Sequence, residues 1–242
     1  APNGIAPDPA NPGEFLGIKS YPGAFRAQTR NLTMEAYATG PFTLFGREHH
    51  LMFGVNRSAQ DYKQTSSYDY PKVDFPTNFS TAYASSQNTQ TRRETAYGLV
   101  RFSLADPLKL MLGGNFTHAR SVGFSYNVDT NFNNSRFSPF AGVTYDLSPS
   151  LSAYASYTTI FNPQTAIGEN GRILDPVSGK NIEAGIKGDW FGGRLNASAA
   201  IFRVHQNNTA ESIGFVNGRF VSRGVNAKSE GIELEAGGRL AE

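Results

Sequence analysis

Asn181-Ile182-Glu183-Ala184-Gly185-Ile186-Lys187-Gly188-Asp189-Trp190 is apolar on one parity and polar on the other. Ile182, Ala184, Ile186 and Trp190 share one side, and Asn181, Glu183, Lys187 and Asp189 share the other. Side chains alternate faces along a strand, so this stretch is a strand with one face in an apolar medium and one in water. The wet face carries too much charge to line the inside of a small packed barrel.

Along the rest of the chain the same period of two predicts about nine strands and no helix, at about 25–39, 49–61, 93–104, 108–122, 136–147, 151–161, 181–190, 194–206 and 221–238. In the eighth, Leu195, Ala197, Ala199 and Ile201 hold the apolar parity until Arg203 and His205 occupy it. A soluble strand has no reason to change there; a strand leaving lipid does. The links alternate in length. Tight ones fall at 105–107, 148–150 and 191–193, with 40–48 somewhat longer; long polar ones fall at 62–91, 123–135, 162–180 and 207–220. Every long loop then emerges at one end of the sheet, the asymmetry of an outer-membrane barrel. Phe42, Phe45, Leu104, Leu147, Trp190 and Phe191 gather at the tight-turn end as an interfacial girdle.

Composition agrees. The chain has 242 residues, only 39% of them hydrophobic but 12% aromatic, which suits a short apolar band ringed by aromatics. A net charge of +2 gives no argument for a nucleic-acid partner. The absence of cysteine excludes disulfides and thiolate metal sites. No run approaches the roughly 20 apolar residues of a transmembrane helix. Pro2, Pro7, Pro9 and Pro12 make the opening segment read as an exposed loop, and the chain as a piece of something longer.

Residues able to carry chemistry have plain alternatives. His49 and His50 are adjacent, so a strand points them to opposite faces and they do not share a metal; a turn or strand start accounts for them. His118 and His205 stand alone. Glu183, Asp189, Glu233 and Glu235 could supply a general acid and base, but water-facing wall charges paired with Lys187, Arg239 and Arg101 explain them with less assumed. With no GxSxG, HExxH or phosphate-cradling glycine loop, the chain is expected not to be an enzyme. The loops offer more. Tyr62, Tyr68, Tyr70 and Phe75 lie in the longest, Tyr126 and Phe132 in the next, Phe161 at the start of another and Phe215 in the last. Aromatics among Asn, Gln, Ser and Thr give rigid apolar platforms with adaptable hydrogen bonding, suited to a bulky organic ligand. Loop packing against loop is the competing reading. The ligand-binding candidates are Tyr68, Tyr70, Tyr126, Phe161 and Phe215.

Several runs together resemble a known family. Ala38-Thr39-Gly40-Pro41-Phe42 followed by Phe45-Gly46-Arg47-Glu48-His49-His50-Leu51 is similar to a periplasmic turn of TonB-dependent ferric-siderophore receptors. So are Phe137-Ser138-Pro139-Phe140-Ala141-Gly142-Val143, Leu174-Asp175-Pro176, Glu183-Ala184-Gly185-Ile186-Lys187-Gly188 and Ser229-Glu230-Gly231-Ile232-Glu233-Leu234-Glu235, in family order. The resemblance implies an all-β antiparallel transmembrane barrel of the 22-stranded class, of which residues 1–242 form a part without plug domain or closing strands. It implies import of an iron–siderophore complex across the bacterial outer membrane, energised by TonB through the plug. The siderophore, not a resident cofactor, would hold the iron; outer-membrane lipid and lipopolysaccharide would surround the wall. Arg101, Glu183, Lys187, Asp189, Glu233 and Glu235 would face the plug. A receptor for cobalamin or a glycan, a barrel enzyme and a soluble β-sandwich binding module remain open.

Overall fold

The computed structural model describes residues 6–7, 15–16, 24–67, 83–216 and 219–239. In chain order the strands are β1 (Ala6–Pro7), β2 (Phe15–Leu16), β3 (Ala24–Leu44), β4 (Arg47–Ser67), β5 (Ala84–Ser103), β6 (Leu108–Ser125), β7 (Val128–Asp129), β8 (Phe132–Ser148), β9 (Leu151–Asn162), β10 (Val177–Trp190), β11 (Leu195–Val216) and β12 (Arg219–Gly238). The short β1 and β2 pair with each other, inside the opening segment expected to be loop. The nine long strands form one antiparallel meander in the order β12-β11-β10-β9-β8-β6-β5-β4-β3, with β7 added to β6. All nine expected strands are present, and no helix occurs among the described residues.

Register turns alternation into two continuous faces. Ile186 pairs with Ala153 on β9 and Ala199 on β11, and Ala199 with Leu234 on β12. Val143, Leu110 and Phe102 continue this apolar face through β8, β6 and β5. Lys187 pairs with Ser152 and Ser198, and Ser198 with Glu235, on the polar face. The apolar face is not covered. Leu234 is 79% exposed, Ile232 73% and Ile201 61%, whereas Ala119, Ala200 and Val221 are the buried apolar side chains among the described residues. A water-soluble sandwich would bury that face against a second sheet. From Leu108 to Phe116 the face runs about 27 Å along the strand, or about 20 Å across a bilayer at the usual tilt.

The strands outrun the expected loops. β4 continues to Ser67, β5 begins at Ala84, and the expected loop 207–220 is instead the far end of the β11–β12 hairpin, closing on the pair Val216 and Arg219. The interrupted apolar parity marks the edge of the apolar medium, not the end of main-chain pairing. The ladder is made of main-chain hydrogen bonds, so it can continue through Thr, Ser, Asn and Gln in water. At the opposite end the expected link 40–48 shrinks to a two-residue turn, because β3 runs through Pro41 to Leu44. Phe45 (φ 50°) and Gly46 (φ 72°) both adopt the left-handed conformation that a type I′ hairpin needs.

Candidate functional site

The polar face carries two groups of residues worth building up. The first lies toward the long-loop end, on β4, β5 and the β6–β7 turn. Tyr126 and Asn127 form that turn with φ of 47° and 62°. A left-handed tyrosine costs roughly 1–2 kcal/mol, so its neighbours must hold it there. Its main-chain N–H donates to Ser86 O at 2.7 Å. Gln64 Nε2 donates to its phenol at 2.8 Å, and Tyr62 donates to Gln64 Oε1 at 2.6 Å. Gln64 also accepts, through its main-chain carbonyl, the hydroxyl of Ser86 at 3.2 Å. Tyr126 remains 48% exposed, an aromatic surface beside a half-buried Tyr62.

Tyr62 therefore belongs to β4 rather than to a loop, and Gln64, the residue that ties the cluster together, was not singled out by sequence. Only its period-two spacing from Tyr62 could have flagged it. Of the other ligand candidates, Phe161 is the one whose side chain the structure describes, and it is not part of this cluster. Phe161 pairs with Ser178 on the row that continues the apolar face, away from the polar wall. Phe215 is on β11 opposite Phe220. Tyr68, Tyr70 and Phe75 lie outside the described residues.

The second group lies lower on the same face. Register puts Arg101, Glu183, Lys187, Asp189, Glu233 and Glu235 all on the polar side. Lys187, Asp189 and Glu235 share a shallow depression with Ser152, Asn196 and Ser198. The expected pairing of these carboxylates with Lys187, Arg239 and Arg101 does not occur among the described residues. Glu183 instead accepts a 2.6 Å hydrogen bond from Tyr154, whose ring lies 5.9 Å from the Lys187 ammonium. The ring fits because Gly185 stands beside it: a Cβ there would sit 3.0 Å from Tyr154 Cε1. Tyr97 repeats the device over Gly54 and donates to Glu35 at 2.9 Å. Lys109 forms an ion pair with Asp146, which also accepts from Ser152. Glu233, Glu235 and Asp189 form no ion pair among the described residues, so the wall presents acceptors without cationic partners.

No cluster of three or more His, Asp or Glu side chains suited to a metal occurs among the described residues. His49 and His50 do point to opposite faces. His49 is buried between Phe42 and Phe102, with ring centroids at 5.2 and 5.4 Å. Its Nε2 donates to Leu44 O and its Nδ1 accepts from Ser103 N, each at 3.0 Å. His50 lies 3.3 Å from Glu48 on the polar side, and His118 Nδ1 is 2.8 Å from Ser135.

Residues 4–241 match the family model described as TonB dependent receptor-like, beta-barrel. The chain is 32% identical to the ferripyoverdine receptor of Pseudomonas aeruginosa over 97% of its own length and 30% of the relative's. It is 37% identical to the ferric-pyoverdine BN7/BN8 receptor of Pseudomonas putida, over 93% of the chain and 30% of the relative. The crystal structure of the Pseudomonas aeruginosa outer-membrane receptor bound to ferripyoverdine superimposes with a TM-score of 0.80 at 32% identity, covering 91% of this chain and 32% of that one. The alcaligin outer-membrane receptor of Bordetella pertussis gives 0.73 at 30% identity, covering 90% and 37%. The chain thus spans about three-tenths of the length of the curated relatives it matches.

Proposed function

Since the chain belongs to the TonB-dependent receptor β-barrel family, we propose that it forms part of the wall of an outer-membrane receptor that binds an iron–siderophore complex outside the cell and imports it. The family is one of transport receptors seated in the bacterial outer membrane. In this reading the apolar face meets outer-membrane lipid and lipopolysaccharide, and the polar face lines the lumen. The remaining strands and the plug come from the rest of such a receptor. Glu183, Asp189, Glu233 and Glu235, with Arg101 and Lys187, form the surface on which the plug rests, and TonB acts through that plug. Iron enters as siderophore-held cargo, and no side chain here is assigned a catalytic role.

The observation that carries this reading is the fixed Tyr126 ring, held by Gln64 above a polar wall, in a chain whose relatives are ferripyoverdine receptors. An exposed rigid aromatic with hydrogen-bonding neighbours suits a planar, polar organic ligand. The cargo is therefore a pyoverdine-type or other hydroxamate siderophore rather than cobalamin or a glycan. The test is equilibrium binding by the complete receptor that carries this segment. Ferripyoverdine should bind, and Y126A with Q64A should weaken it at least tenfold; Tyr68 and Tyr70 are tested in the same way. Binding of cobalamin or a glycan in place of ferripyoverdine would overturn the assignment.

A further inference from the structure

Above the apolar band the outward row changes character. On β5 and β6 its unbroken apolar run ends at Ala96 and Phe116; Glu94 and His118 follow, then Arg92 and Arg120, with Val122 beyond them on β6. Arg92 and Arg120 are direct cross-strand partners, both exposed. Like charges directly opposed across a ladder repel and destabilise it. The nearby acids do not relieve them. Glu94 is taken by Arg57 at 3.5 Å, and Asp61 stands opposite Arg30 and Gln90. Ala59 and Asn133 flank the pair on the neighbouring strands. Neither Arg92 nor Arg120 forms an ion pair among the described residues. Farther round the sheet, at the matching position above the band, Arg203 and Lys228 share one carboxylate, Glu230.

Height identifies the neighbour. Four residues separate Arg92 from Ala96 and Arg120 from Phe116, about 13 Å along a strand and about 10 Å along the bilayer normal at the usual tilt. That is headgroup level on the long-loop side, and long Arg side chains reach across such a boundary. A guanidinium binds phosphate through a two-pronged hydrogen bond, and two facing guanidiniums can share one phosphate. We propose that Arg92 and Arg120, opposed across β5 and β6 on the outward row, clamp a phosphate of an outer-leaflet glycolipid. The site lies on the outside of the wall, apart from any siderophore site, and rests on the reading of the apolar face as lipid-facing.

The complete receptor, stripped of lipid in detergent, is offered bis-phosphorylated lipid A or its dephosphorylated counterpart, and bound lipid is counted by native mass spectrometry. Wild type should retain the phosphorylated form at least tenfold better. R92Q/R120Q should lose that preference, and R92K/R120K, which keeps the charge without the two-pronged geometry, should keep only part of it. Without lipid, R120Q should melt no lower than wild type, because it removes a repulsion; a residue needed only for folding would lower the melting temperature. Equal retention of both lipids by wild type, or unchanged preference in R92Q/R120Q, would overturn the site while leaving the membrane reading intact. Failure of wild type to partition into a detergent phase would overturn the membrane reading itself.

Discussion

The phenol of Tyr154 donates a 2.6 Å hydrogen bond to Glu183 Oε1 from the neighbouring strand. Its ring lies against Gly185, two residues from the carboxylate it fixes. The arrangement couples a wall carboxylate to strand register: a one-residue slip would send Glu183 into the apolar face. Y154F keeps the ring and loses the bond. We expect a loss of about 1–2 kcal/mol, read as a lower denaturant midpoint of the complete receptor, with assembly unchanged.

Sidedness makes adjacent residues of β11 unequal. Ala199 lies mid-band on the apolar face, paired with Ile186 and Leu234, whereas Ser198 faces Lys187 and Glu235. A199R should cost about 2–4 kcal/mol in a bilayer, the depth-dependent penalty of a lipid-facing arginine. S198R should cost far less. Equilibrium unfolding from vesicles measures both.

Tyr126 trades stability for placement. Y126G relieves the left-handed strain and should raise stability by up to about 1 kcal/mol, while siderophore affinity falls. A paired thermal melt and ligand titration reads the two opposite changes.

At the tight-turn rim His49 satisfies two main-chain groups between two phenyl rings. H49L strands both and should cost about 2–3 kcal/mol. H50L, beside Glu48 on the polar side, should cost under about 1 kcal/mol. Thermal melts of the two variants check the contrast.

The strands and their faces were legible because lipid imposes a strict period of two: Leu195, Ala197, Ala199 and Ile201 announce it unaided. Strand ends were not. Nothing in the pattern of Asn207 to Phe220 distinguishes a water-exposed hairpin from a loop, since pairing there depends on the main chain. The polar placement of Glu183, Lys187 and Glu233 followed from parity, but their partners did not, because Tyr154 reaches Glu183 only across a strand boundary that register decides. Gln64 escaped notice for the same reason. Its role comes from Tyr126, 62 residues away in sequence.

If one face of this sheet meets lipid and the other water, accessibility must alternate residue by residue along β10. The segment contains no cysteine, so single cysteines at 181–189 in the complete receptor can each carry a spin label. Collision rates with oxygen, which concentrates in lipid, and with a water-soluble nickel chelate then report each environment. Strict alternation is expected, with oxygen favoured at 182, 184, 186 and 188 and the chelate at 181, 183, 185, 187 and 189. Accessibility that does not alternate, or that alternates with the opposite parity, would contradict it.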